Sequence, residues 1–330
     1  MRARRWMTLA LLTSSLAGCS RRQPPAPVVR MGYFANITHA TALIGVAGGA
    51  FQKALGDTKL QTTVFNAGPS VVEAFLARQL DCSFIGPVPA INGYVKAGGA
   101  FRIVCGVAAN GVLIVAHPQA GITRLEDLAG KRIATPQYGN TQDISARVYL
   151  TQTLKQTLGE KPGQTRVIPL ANAEQLEVFR RHDIDASWVP EPWASRMVHE
   201  AGGVAVAEEK ALWPQGRFVV TVFVVSAEFL TQHPAEVEAL VGSIREITAW
   251  INASRPAAAA LVNAQLAAIA GKPLAPEVLA DAFGRVEFTT DPLRPTVETF
   301  ARWSFESGTL KEQPDLTNLF DTRILERVSR

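Results

Sequence analysis

Four times along this chain an apolar run of strand length stops at small or polar residues that then open a helix. Asn36-Ile37-Thr38-His39 follows the run 28–34, and Gly68-Pro69-Ser70 follows 61–65. Gly86-Pro87-Val88-Pro89-Ala90 follows 81–85, and Gly139-Asn140-Thr141-Gln142-Asp143 follows 132–135. Helix starts are written into the same junctions. Ser70 with Glu73, and Thr123 with Glu126, have capping-box spacing, while Asn140, and Asn172 with Gln175, suit Asx-type starts. Strand, helix, strand in this rhythm specifies an α/β chain built on doubly wound parallel sheets.

The rhythm restarts near residue 115, after two consecutive apolar strands, and a long strand at 217–226 follows the second series. Beyond it the chain is expected to be helical, with no strand of its own on which to build a third sheet. Lobe two is therefore expected as an insertion, 115–218, within a lobe one formed by 31–114 and 219–330. The chain would cross between the lobes twice, near 108–115 and 217–226, which suits a hinge. The hydrophobic share of 47% supplies the core that two lobes need.

The first residues carry an address. Arg2, Arg4 and Arg5 precede an apolar run, 6–18, that is shorter than the ~20 residues needed to span a bilayer. It ends in Leu16-Ala17-Gly18-Cys19, which resembles a bacterial lipobox. Residues 1–19 are thus expected to be a lipoprotein signal peptide with Cys19 as the lipidated residue. The polar, Pro-rich stretch 20–30 is expected to be a tether. The protein would work in the periplasm or at the cell surface, held to a membrane by lipid. Without the three leader arginines, basic and acidic residues nearly balance (33 and 29 in the whole chain), so no nucleic-acid partner is expected.

Catalytic signatures are sparse. The five histidines have no H-E-x-x-H or i, i+4 spacing, and no nucleophile elbow, phosphate loop or dinucleotide fingerprint occurs. No metal, cofactor or catalytic residue is expected. What remains is the set of strand-to-helix junctions. Ligands of open α/β sheets bind beyond the carboxyl ends of strands, where helix N-termini offer free N–H groups and partial positive charge. Each junction alone is an ordinary cap; four from both halves of the chain point to an anion cleft.

Individual side chains leave alternatives open. His39 would either donate to an anion or sit satisfied at the surface. Trp188 would either floor the cleft or pack between elements. Glu191 would accept from a ligand ammonium, favour a helix N-terminus or pair across the lobes. Cys82 and Cys105 lie within predicted strands, as buried thiols or as a disulfide.

A set of motifs carries a family resemblance: Gly32-Tyr33-Phe34 with Asn36 to Ala40, Phe65 to Pro69, Gly86 to Ala90, Leu125 to Lys131, Pro136 to Asp143, and Asp185 to Trp193. Over about 30–320 the chain resembles the substrate-binding lipoproteins of ATP-binding-cassette importers, in the nitrate/sulfonate/taurine branch. The resemblance implies a type II periplasmic-binding-protein fold, no enzymatic activity, a monomer, a small anionic ligand and a membrane permease as partner. The ligand is expected to be an aliphatic sulfonate or taurine, with nitrate or bicarbonate as alternatives. The ligand contacts are expected at Asn36, Thr38, His39, Gly68, Ser70, Gly86, Pro87, Gly139, Asn140, Thr141, Gln142, Trp188 and Glu191. Related folds include thiamine-pyrimidine synthases, which use a histidine and pyridoxal phosphate. That rival would need a lysine in the cleft, and Lys96 and Lys131 look solvated.

Overall fold

The computed structural model describes residues 27–329; the leader, Cys19 and most of the tether lie outside them. Eleven strands form two sheets. The first contains β1 (Val28–Phe34), β2 (Lys59–Phe65), β3 (Cys82–Ile85), β4 (Phe101–Asn110), β10 (Val219–Ser226) and β11 (Val286–Phe288), in the order β11-β4-β10-β3-β1-β2. The second contains β5 (Val112–Ala116), β6 (Arg132–Pro136), β7 (Arg166–Leu170), β8 (Ala186–Pro190) and β9 (Val204–Glu208), in the order β7-β6-β8-β5-β9. Each sheet with its helices is one lobe.

Both sheets are mixed. Pairing is parallel for β1 with β2 and β3, and for β6 with β7 and β8. It is antiparallel around β10 and β5. β10 runs through the middle of the first sheet, buried on both faces, which explains its unbroken Val/Thr/Phe composition. It also separates the cysteines. Val225 lies opposite Cys82 and Phe223 opposite Cys105, so the two cysteines are more than two strand spacings, over ~10 Å, apart. That exceeds the ~7 Å reach of a disulfide, and both are free thiols whose pKa burial pushes up.

Three expectations are corrected. The C-terminal region has a strand, β11, which adds to the edge of β4. The helix expected from Ser70 starts earlier, as Gly68–Leu76, because Pro69 fits its first turn; Ala67 is the cap and Ser70 is exposed. The box at Thr123 shifts by one residue: Asp127, not Glu126, accepts from the Thr123 and Arg124 N–H groups.

The chain leaves the first sheet at Gly111 and returns across 209–218. Asn110 and Gly111 both have positive φ (62° and 72°), reversing the chain in two residues, and a side chain at Gly111 would strike Val286. The two crossings are tied to each other: Asn110 N–H donates to Phe218 O, and Phe218 N–H donates to Asn110 Oδ1. Trp213 in the return crossing stacks on Phe218 and packs against Phe300 and Trp303 of the helix Arg294–Glu306.

Candidate functional site

The carboxyl ends of the parallel strands from both lobes face a shared cleft. After β1, Asn36, Thr38 and His39 line it; after β3, Gly86 does; after β6, Asn140, Thr141 and Gln142 do. Phe34, Asn66, Asn172, Pro190 and Val220 complete the wall. The enclosed space is about 20 Å³, room for one or two water-sized species. The lobes are therefore closed on this cradle, and a ligand can enter it only when they part.

The loop from lobe two is rigid. Asp143, fully buried, accepts from Thr135 Oγ1 at 2.8 Å and from the Gly139 N–H at 3.0 Å, and pairs with Arg147 at 2.9 Å. Asn140 caps the helix Thr141–Val148, its Oδ1 accepting from the Thr141 N–H. This leaves Thr141 at the helix start with its hydroxyl buried, 1% exposed as a residue, and without a hydrogen-bond partner. It faces Gly86 so closely that a Cβ there would lie 2.6 Å from Thr141 Oγ1. Only glycine lets the lobes meet here.

His39 supplies a donor rather than a charge. Its Nδ1 accepts from the Phe34 N–H at 3.3 Å, which puts the proton of the neutral ring on Nε2. Burial holds its pKa down to about 3, so the ring stays neutral at physiological pH. Among the described residues, no Lys, Arg, Asp or Glu lines the cradle. Its positive field comes from helix starts, at Gly68, Pro87, Thr141 and Asn172.

A second cavity of about 140 Å³ adjoins the first and shares Phe34, Asn36, Asn66 and Asn172 with it. Ala35, Phe65, Ala171, Ala173 and Trp193 make this annex largely apolar. The Trp193 indole N–H donates to Asn36 Oδ1 at 3.0 Å, a bond between the lobes. A second bond across the cleft runs from Asn92 Nδ2 to Gly139 O at 3.3 Å.

The structure separates the expected contacts. Asn36, Thr38, His39, Gly86, Asn140, Thr141 and Gln142 meet in the cradle. Gly68, Pro87 and Gly139 stand just behind it: Gly68 packs on Pro89, Pro87 opens the helix Pro87–Lys96, and Gly139 holds the lobe-two loop. Ser70 is exposed and lines neither cavity. Trp188 is fully buried below the cradle, on the same strand face as Pro190, and its indole N–H donates to Glu209 at 2.6 Å. Glu209 also accepts from Ser145 and Trp213, and burial raises its pKa. Trp188 is therefore an interior residue, not a cleft floor. Glu191 does not line the cleft either. It accepts from the Ser195 N–H and hydroxyl and from Arg285, a lobe-spanning pair beside the crossing, where its own N–H donates to Gly111 O.

Sequence reasoning overlooked Asn66, Asn172 and Trp193. The two asparagines obey the same strand-end rule, directly after β2 and β7. Trp193 carried no comparable signal, because its partner is 157 residues away.

A larger groove of about 610 Å³ lies at the opposite end of lobe one, at the amino ends of β1 and β3. Of its charged groups, Arg30 and Asp81 pair with each other at 2.6 Å, and Arg78 and Glu228 also line it; the one helix start on its wall, that of Ala227–Gln232, is already capped by the Ser226 side chain, which accepts from the Phe229 N–H. Among the described residues, no group of three or more His, Cys, Asp or Glu is placed to hold a metal ion.

Known proteins share this fold. The model of the NMT1-like family matches residues 22–268. The taurine-binding periplasmic protein of Escherichia coli (strain K12) is 26% identical over 203 residues, 61% of this chain and 60% of that protein. The chain spans 65% or less of the length of the curated relatives it matches. Two solved structures share the fold. The alkanesulfonate-binding protein of Xanthomonas axonopodis pv. citri, bound to MOPS, has a TM-score of 0.74 at 19% identity, covering 90% of this chain and 99% of that one. The periplasmic nitrate-binding protein of Synechocystis PCC 6803 has a TM-score of 0.77 at 15% identity, covering 93% and 89%. The arrangement is that of a type II periplasmic binding protein.

Proposed function

The chain belongs to the NMT1-like family, and on that premise we propose that it is the extracytoplasmic binding component of an ATP-binding-cassette importer, without catalytic activity of its own. Its cargo is a small anion, an aliphatic sulfonate or taurine, delivered to the transmembrane permease by the closed form. Residues 1–19 direct export, Cys19 carries the lipid anchor, and 20–27 tether a monomeric two-lobed body; the expected lobe bounds of 31–114 and 115–218 move to 28–111 with 219–330 and to 112–208, because β1 starts at Val28 and β5 at Val112.

The observation that carries this reading is the Thr141 hydroxyl, buried without a partner between helix starts from both lobes. A closed cleft that leaves such a group unsatisfied is incomplete until a ligand oxygen meets it. The anion oxygens would take Thr141 Oγ1, His39 Nε2, the Asn140 and Gln142 side chains and the helix N–H groups. A few charge-assisted bonds at ~1.5–3 kcal/mol each, less binding costs, suffice for micromolar affinity, about −8 kcal/mol. The annex would take the carbon portion, the task first given to Trp188.

The binding reading gains further support from the lysines. Lys131 donates to Ala120 O and Lys96 pairs with Glu73, and neither lines the cradle or annex, where an aldehyde cofactor would need an amine. A thermal-shift panel of alkanesulfonates, taurine, nitrate, bicarbonate and sulfate tests the proposal. Ligand at 100 times its Kd adds about 2.7 kcal/mol, several degrees in Tm. A shift with at least one sulfonate of the panel is expected; no shift with any anion overturns the reading. The small volume of the cradle itself favours a second reading, nitrate or bicarbonate, which would need no annex. A shift with those anions alone would select it.

A further inference from the structure

We propose that the site selects sulfonates whose carbon tail carries no ammonium group, so that ethanesulfonate and its hydroxylated analogue bind and taurine is rejected; this rests on the anion-capture reading above. With the anion in the cradle, a two-carbon tail projects into the annex. Asn36, Asn66 and Asn172, which border both cavities, are neutral amides, and the rest of the annex is Phe, Ala and Trp. Among the described residues, no carboxylate lines either space.

The carboxylates behind the cleft wall are committed elsewhere. Glu191 is engaged by Ser195 and Arg285. Asp143 is engaged by Gly139, Thr135 and Arg147. Both are fully buried. Glu174, in the first turn of the helix Asn172–Arg180, is exposed and lines neither cavity. That same helix start borders the annex through Ala171, Asn172 and Ala173, and its partial positive charge disfavours a cation there. An ammonium would exchange its water shell for aromatic rings, neutral amides and a like-signed field. A hydroxyl, by contrast, can accept from an Asn amide or a helix N–H.

The test is calorimetric titration of the purified protein at pH 7 with ethanesulfonate, 2-hydroxyethanesulfonate and taurine, repeated on Asn172→Asp. The unpartnered charge is expected to weaken taurine about 100-fold relative to ethanesulfonate. Asn172→Asp puts a carboxylate at the annex, at a helix position that favours negative charge, and is expected to shrink that ratio at least about tenfold. Taurine binding as tightly as ethanesulfonate to the parent overturns the selectivity while leaving anion capture standing. A parent that discriminates with a ratio unmoved by Asn172→Asp overturns the assignment to this wall of the annex. Binding of none of the three overturns the sulfonate reading and the selectivity with it.

Discussion

Thr141→Val separates stability from binding at one atom. Valine keeps the shape of threonine and removes only the hydroxyl, which has no partner in the closed cleft. A buried polar group left unpaired costs about 1–3 kcal/mol, so losing it relieves the ligand-free closed form instead of harming it. The ligand-free variant should be no less stable than the parent, and its closed population should rise about tenfold or more. With ligand the sign reverses. A hydrogen bond to a charged oxygen is worth about 1.5–3 kcal/mol, so affinity should fall roughly 10- to 150-fold. The assays are thermal melting without ligand, fluorescence energy transfer between probes on the two lobes, and calorimetry with ethanesulfonate. A variant that melts well below the parent and binds within threefold of it would refute the placement of this hydroxyl against the ligand.

Other perturbations probe the surroundings. Trp193→Phe keeps the annex wall but breaks the bond to Asn36 across the lobes, so ligand should leave about 2- to 10-fold faster in stopped-flow measurements, with little change in melting. His39 makes stability depend on acid: the unfolded chain protonates near pH 6.5, whereas the folded ring resists until about 3. Its contribution is full above pH 6.5 and is lost as pH falls, about 2 kcal/mol by pH 5, so denaturant midpoints of His39→Gln should fall less than the parent's between pH 7 and 5. Arg285→Met leaves the buried Glu191 carboxylate with Ser195 alone and should cost about 3 kcal/mol in urea unfolding; a loss below about 1 kcal/mol would mean that the pair does not matter.

What the sequence disclosed was local geometry. The cradle residues Asn36, Thr38, His39, Gly86 and Asn140 to Gln142 are legible because a strand end followed by a helix start defines both a place in the sheet and a supply of N–H groups. Ser70 failed because Pro69 moved the helix start two residues upstream, leaving the hydroxyl in the solvent-exposed first turn. Trp188 failed for a different reason. Its strand was read correctly, but the indole finds its partner in Glu209, beyond two further elements, so its orientation belongs to tertiary structure. Trp193 and β11 were illegible in the same way. A ring bonded to a residue 157 positions away and a strand of three residues that exists only by pairing with β4 have no local signature.

A crystal structure of the protein with ethanesulfonate would show whether the cradle holds the anion. Closed lobes are expected, with sulfonate oxygens within hydrogen-bond distance of Thr141 Oγ1 and His39 Nε2 and the ethyl group against Trp193 and Phe65 in the annex. A sulfonate lodged instead in the groove beside Arg30 and Asp81, or a cleft left vacant at saturating ligand, would contradict it.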